Sequence, residues 1–114
     1  MASLTTKLGE EQVQIIGILS SPTPGATVTL TLVDGVELYK WTAGEAETVN
    51  CSGTQKIGQT ITCQILDSGG RTITFGTGFK ASDTIAGTNG KTATITFRSD
   101  GTNFYELSRT LAIT

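Results

Sequence analysis

Few side chains in this sequence could do chemistry, since it contains no histidine and only two cysteines. Without histidine there is no base for a Ser-His-Asp or Cys-His relay, and no Gly-rich loop leads into the Lys-Ser or Lys-Thr pair that would hold phosphates. Glu45 and Glu47 form a close i, i+2 pair of carboxylates, but nothing beside them in the sequence would shift either pKa. We therefore predict no enzymatic activity, no cofactor and no metal site. A solvated rim is the predicted place for this pair, with a surface cation site as the alternative.

Cys51 and Cys63 are the two cysteines, and both lie in segments of alternating character, "ETVNCSG" and "QTITCQIL". This placement predicts that their side chains meet across a hairpin. In a protein made in the cytoplasm, a pair of reduced and buried thiols is the expected state, and a cross-strand disulfide is the alternative. A metal site would need further ligands, which the sequence does not place near the thiols.

Composition bounds the fold and the partners. A chain of 114 residues suits one domain, and Thr is its commonest residue, which favours strands over helices. With a net charge of −2 and scattered Lys and Arg, the chain offers no basic run for nucleic acid. No apolar stretch is long enough to span a membrane, and the N-terminus lacks the pattern of a secretory signal. We expect a protein made in the cytoplasm that binds neither nucleic acid nor membrane.

Strand-like alternation is the main structural signal from Ala26 onward. Val28 and Leu30 alternate with Thr27, Thr29 and Thr31, which is typical of a strand with one buried face. Six further segments with strand character are predicted over residues 36–42, 47–51, 60–66, 71–75, 92–97 and 103–109. Asp-Gly and Gly-Gly pairs favour tight turns between several of them. The pattern predicts an all-β fold, a single antiparallel sandwich or jelly-roll-like domain, with residues 76–90 as a long connection pinned by Phe79 and Ile85.

The first 25 residues differ in character from the rest. Pro22 and Pro24 form a stiff hinge, because proline holds the chain extended and lacks the N–H that a sheet would use. We therefore divide the chain into an N-terminal arm with a Pro-rich hinge, residues 1–25, and a β-sandwich domain, residues 26–114. The arm carries an apolar cluster of candidate interface residues: Val13, Ile15, Ile16, Ile18 and Leu19. Two fates remain open for it, an extra element on its own core or a contact with a neighbouring subunit.

Three aromatic residues are candidates for a contact surface: Tyr39, Trp41 and Tyr105. Strand alternation places Tyr39 and Trp41 on one face of their segment. Aromatic side chains dominate core and interface energetics alike, so core packing, a subunit interface and a carbohydrate-stacking platform all remain open for Trp41.

The run from Gln59 to Thr110 resembles a module of tailed-bacteriophage structural proteins, found in tail fibres, appendages and head-surface proteins. The resemblance rests on three features in a fixed order. A strand ends in an Asp-x-Gly-Gly-Arg-Thr-Ile-Thr turn, a Gly-rich excursion follows, and the next strand leads into Asp-Gly-Thr-Asn, an aromatic pair and an Arg. The matching residues are Asp67, Gly69, Gly70, Arg71, Thr72, Ile73, Thr74, Asp100, Gly101, Thr102, Asn103, Phe104, Tyr105 and Arg109. Phe104 stands where the family commonly has Trp.

The resemblance implies a β-rich, often trimeric protein of the virion that assembles or attaches to a surface. The short chain and its arm favour a capsid decoration (cement) protein, a homotrimer that binds the major capsid protein on the head surface and stabilises the shell. The alternative is a tail-fibre or receptor-binding module, or a carbohydrate-binding β module. In either case the closing hairpin is expected to be structural, with Asp100 and Asn103 capping its turn and Phe104 or Tyr105 closing one edge of the core.

Overall fold

A computed structural model describes residues 18–114, which form ten β-strands and no helix. Their bounds are β1 Ile18–Ser20, β2 Thr27–Thr31, β3 Val36–Ala43, β4 Glu47–Ser52, β5 Thr60–Asp67, β6 Thr72–Phe75, β7 Phe79–Lys80, β8 Ile85–Ala86, β9 Thr92–Ser99 and β10 Phe104–Ile113. All predicted strand segments are present, so the all-β prediction is confirmed. The described residues include no helix with the length and apolarity that crossing a bilayer would require.

The strands form two sheets, and successive strands alternate between them up to β9. The six-stranded sheet has the order β1-β3-β5-β9-β10-β7, and the four-stranded sheet has the order β2-β4-β6-β8. Within a sheet, β1, β3 and β5 run parallel, as do β2, β4 and β6. Antiparallel pairing is confined to β5 with β9, β9 with β10, and β6 with β8. The stacking is therefore solenoid-like.

The prediction of an antiparallel sandwich is wrong, and the turns explain why. Gly35 and Gly70 have the positive φ values, 87° and 71°, that the Asp-Gly and Gly-Gly turns predicted. Each of these turns carries the chain from one sheet to the other rather than back along the same sheet. Because of such crossings, β3 lies parallel beside β1, β4 beside β2, β5 beside β3 and β6 beside β4. Gly101, with φ 98°, lies in a turn that does form a hairpin, between β9 and β10.

The core lies between the two sheets and is built from alternate residues of each strand. Val28 and Leu30 are fully buried while Thr27, Thr29 and Thr31 are exposed, as the period of two predicted. One end of the core is aromatic: the ring of Phe79 lies 5.2 Å from Phe75, 4.9 Å from Phe97 and 5.7 Å from Phe104, measured between centroids. Such aromatic clusters contribute beyond their buried area.

The segment predicted as a long connection, residues 76–90, contains the two short strands β7 and β8. Its predicted anchors are confirmed, since Phe79 is 5% exposed and Ile85 is 1% exposed. Phe79 joins the six-stranded sheet and Ile85 the four-stranded one. The connection therefore ties the two sheets together along one side of the core.

The N-terminal arm enters the described structure at β1. Ile18–Ser20 pair with β3 at the edge of the six-stranded sheet, so these three residues are an extra strand of their own domain. Leu19 is 51% exposed there. The candidate interface residues Val13, Ile15 and Ile16 lie outside the described residues.

Candidate interaction surface

The polar residues of the phage-like motif are held by their own chain, beginning with the turn after β5. The carboxylate of Asp67 is buried and accepts backbone N–H bonds from Gly70 at 2.6 Å and from Arg71 at 2.9 Å. These bonds fix the crossing from one sheet to the other. Asp67 is therefore occupied as a structural acceptor, because its oxygens satisfy backbone donors that the turn leaves without a partner.

The Asp-Gly-Thr-Asn turn between β9 and β10 uses its aspartate in the same way. Asp100 Oδ1 accepts the N–H groups of Thr102 and Asn103, each at 2.9 Å. These two backbone bonds lower the pKa of the Asp100 carboxyl, because they favour its charged form. The predicted cap is confirmed for the Asp100 side chain, whereas Asn103 contributes its backbone, its carbonyl accepting the N–H of Asp100 at 3.1 Å.

Glu106 and Arg109 form a clamp over the loop that follows β7. Arg109 donates to both carboxylate oxygens of Glu106 at 2.8 Å, and its Nη1 and Nη2 donate to the carbonyls of Thr84 at 3.1 Å and Asp83 at 2.8 Å. Glu106 in turn accepts the backbone N–H of Ser82 at 2.8 Å. The guanidinium holds the pKa of Glu106 down to about 2, and the carboxylate raises the pKa of Arg109. The clamp spans β10 and the loop at residues 82–84.

Glu47 is a buried carboxylate, so the predicted solvated rim is wrong for this residue. It is 3% exposed, whereas Glu45 remains exposed. Its Oε1 accepts the indole N–H of Trp41 at 2.7 Å, and its Oε2 accepts the backbone N–H of Gly25 at 3.4 Å. Burial raises the pKa of Glu47, and the two hydrogen bonds partly oppose that rise. The signal in the sequence was the period of two in β4, which places Glu47 on the same face as Val49 and Cys51.

The two cysteines do not face each other across a hairpin. Cys51 lies on β4 in the four-stranded sheet and Cys63 on β5 in the six-stranded sheet, so the two strands are not paired. The hairpin interpretation assumed that consecutive strands stay in one sheet. Both thiols are free, and burial raises the pKa of each. A raised thiol pKa disfavours the thiolate, which is the nucleophilic form.

The aromatic candidates separate into two buried residues and one exposed residue. Tyr39 is fully buried and donates its hydroxyl to the Thr31 carbonyl at 2.9 Å, and Trp41 is 5% exposed. Core packing, one of the roles left open, describes both of them. Tyr105 is 47% exposed on β10 and is the one candidate aromatic among the three with a free ring face. A stacking platform built from all three rings is therefore not formed on this chain.

The strand β10 carries an exposed apolar surface that sequence reasoning missed. Beyond Tyr105, its exposed side chains are Leu107 at 59%, Leu111 at 42% and Ile113 at 39%. We call Tyr105, Leu107, Leu111 and Ile113 the β10 strip. The missed signal was the spacing of these four residues, which all stand at odd positions and so alternate with the buried Phe104, as expected for an apolar outer face.

The backbone of β10 is also open along one side. Its pairing with β7 covers Phe104 and Tyr105 only, and β9 pairs with it from Phe104 to Ile113. Among the described residues, residues 107–113 pair with no strand other than β9. The register shifts between Glu106 and Ser108 and again between Thr110 and Ile113. At each shift β10 has one residue more than β9, as in a β-bulge.

Comparison with known proteins does not assign the chain. No family model matches it, and no curated protein is significantly similar to it. In the described part of the chain, no three side chains of His, Cys, Asp or Glu are grouped so as to hold a metal ion. The β10 strip places four exposed large apolar side chains on one strand of the described surface.

Proposed function

We propose that this protein is a structural component of a virus particle, a capsid decoration protein that binds the major capsid protein on the head surface as a homotrimer and stabilises the shell. The single observation that supports the proposal is the exposed β10 strip. Soluble monomers seldom keep several large apolar side chains exposed on a strand with one side largely unpaired, because such edges invite association with another chain. An assembly role gives these side chains a partner.

The motif residues point in the same direction. Asp67, Asp100 and Arg109 belong to the resemblance to phage structural proteins, and the side chains of all three bind the protein's own backbone. Because these side chains bind the protein's own backbone, they stiffen the turns and the connection at residues 82–84. A stiff body with an apolar strip suits repeated copies that pack side by side, since little order is lost when such copies associate.

The decisive experiment is to image particles of the virus that encodes this protein, with an antibody against the purified chain as the label. Label distributed over the head supports the proposal. Label confined to the tail would instead support the tail-fibre or receptor-binding alternative, and its absence from purified particles would refute both. Particles made without the protein should also release their genome at a lower temperature, and adding back the purified full chain should restore the wild-type temperature.

A further inference from the structure

The β10 strip lacks the devices that usually protect a strand edge. Natural edge strands carry outward lysines or prolines, or are covered by other elements. The strand from Phe104 to Ile113 contains neither lysine nor proline. Its two charged residues, Glu106 and Arg109, are turned to each other and to residues 82–84, and their side chains are only 11% and 18% exposed. Charge therefore does not keep another chain away from the strip.

The opposite edge of the same sheet is formed by the N-terminal segment. β1 lies at one end of the order β1-β3-β5-β9-β10-β7, and β10 lies four strands away. At about 4.8 Å per strand, the two are separated by roughly 19 Å within one copy. When two copies stand side by side, the β1 edge of one copy faces the β10 side of the next.

The chain that precedes β1 has the length and the composition to cover the strip. Seventeen residues come before Ile18, and the six nearest to it, residues 12–17, can reach roughly 20 Å when extended at about 3.3 Å per residue. Val13, Ile15 and Ile16 belong to this segment, and its charged residues, Lys7, Glu10 and Glu11, all precede Val13. Residues 12–17 are therefore uncharged, like the strip.

Symmetry distinguishes two possible contacts of the β10 strip, one with a second β10 strip and one with a different surface. If β10 of one copy met β10 of another, the contact would be related by a twofold axis and would close as a dimer. A trimer needs two different surfaces at each contact, so that the same contact repeats around a threefold axis. The β1 edge with its preceding residues and the β10 strip are two such surfaces at opposite ends of one sheet.

We propose that residues 12–17 of one copy pack on the β10 strip of the next copy. This inference rests on the proposed trimer and names the surfaces that build it. Leu107, Leu111 and Ile113 receive apolar side chains from the neighbour, and the unpaired backbone of β10 accepts or donates hydrogen bonds where the register allows.

Two full-length double variants test the pairing through mixing, with size measured by light scattering and sedimentation. The first, Ile15→Lys with Ile16→Lys, has a defective segment and an intact strip. The second, Leu107→Lys with Leu111→Lys, has an intact segment and a defective strip. We expect wild type to be a trimer and each variant alone to be a monomer. Their mixture should form a 1:1 dimer at high concentration, because one good contact can then form.

The control is Ile57→Lys, which replaces a side chain that is 85% exposed and lies outside β10. It should leave the trimer unchanged. Failure of the mixture to form dimers would overturn the inference and would point to a twofold β10 contact or to a segment folded on its own copy. Equal dissociation of the Ile57→Lys control, or a wild-type monomer, would also overturn it.

Hydrogen exchange of the wild-type chain gives a second test that requires no substitution. Amides of residues 105–113 should exchange more slowly as protein concentration rises through the trimer transition, while those of β2 should not change. Unchanged exchange in β10 would refute the contact. A trimer that survives both double variants would refute this inference and leave the virion proposal to imaging.

Discussion

The two halves of β10 differ in what covers them. Phe104 is fully buried against the aromatic cluster, whereas Leu107 is 59% exposed and Leu111 is 42% exposed. The clamp of Glu106 with Arg109 lies between these two regions. One strand thus begins as part of a closed core and continues as an open surface.

The physical reason is the unequal size of the two sheets. Six strands face four, and the last strand of the smaller sheet, β8, is only two residues long. The smaller sheet therefore does not cover the far half of β10. Leu111 shares a small cleft with Ile65, Ile85 and Ala93, but nothing closes that cleft on the outer side in the part of the chain described. Sheet size, rather than side-chain type, decides which apolar residues become core.

The largest expected difference between the two halves is in stability. Phe104→Ala removes a fully buried ring and should lower the free energy of unfolding by about 3–5 kcal/mol. Leu111→Ala should lower it by less than about 1 kcal/mol, because the side chain is already partly in water. Urea unfolding under dilute, monomeric conditions measures both. Equal losses would mean that the far half of β10 is covered after all.

The next largest loss of stability is expected when the clamp of Glu106 with Arg109 is broken. Glu106→Gln removes the charge from a bidentate pair and should cost roughly 1.5–3 kcal/mol, as for other hydrogen bonds to charged groups. The folded pKa of Glu106 is held down to about 2, below its ordinary value, so its contribution is present above about pH 4.5 and is lost as the pH falls toward 2. Urea unfolding from pH 5 to pH 2 should show this loss in wild type and not in Glu106→Gln. A parallel decline in both proteins would refute the assignment.

A smaller effect separates the buried tyrosine from the exposed one. Tyr39→Phe removes a hydroxyl that donates to the Thr31 carbonyl, and it should cost about 0.5–1.5 kcal/mol. Tyr105→Phe is the matched control and should be neutral in stability, since its ring is 47% exposed. Thermal unfolding of the two variants checks this, and a larger loss for Tyr105→Phe would contradict the placement of both rings.

The smallest effect concerns Glu47, a carboxylate whose pKa shifts in the opposite direction from that of Glu106. Its pKa is raised in the folded state, so its contribution to stability is fully present below the unfolded pKa and is lost as the pH rises through the folded value. Glu47→Gln keeps an oxygen for the Trp41 indole and should change stability at pH 7 by no more than about 1 kcal/mol. Relative to this variant, wild type should lose stability as the pH rises above about 4.5. The opposite slope would show that Glu47 is better solvated than the structure places it.

Local sequence was sufficient for the seven longer strands, the turns and the alternation of faces, but not for the short strands β1, β7 and β8. Val28 and Leu30 are inside and Thr27 and Thr29 outside because a strand presents successive residues to opposite sides. Phe79 and Ile85 were recognised as anchors because they are isolated apolar residues in a Gly-rich run. Asp100 was recognised as a cap because its side chain satisfies donors only two and three residues away. Each of these features depends on neighbours in the chain.

Only the tertiary structure decided which strands became neighbours. Gly35, Gly70 and Gly101 all adopt positive φ, yet the first two turns cross between sheets and the third makes a hairpin. The backbone conformation of a turn does not determine whether the chain crosses to the other sheet or forms a hairpin. That outcome depends on which sheet the next strand joins. The same choice separated Cys51 from Cys63, buried Glu47 beneath Trp41, and left Leu107 and Leu111 on β10 without cover. Burial is a property of the assembled sheets, so a residue's place in a strand fixes its face but not what lies opposite that face.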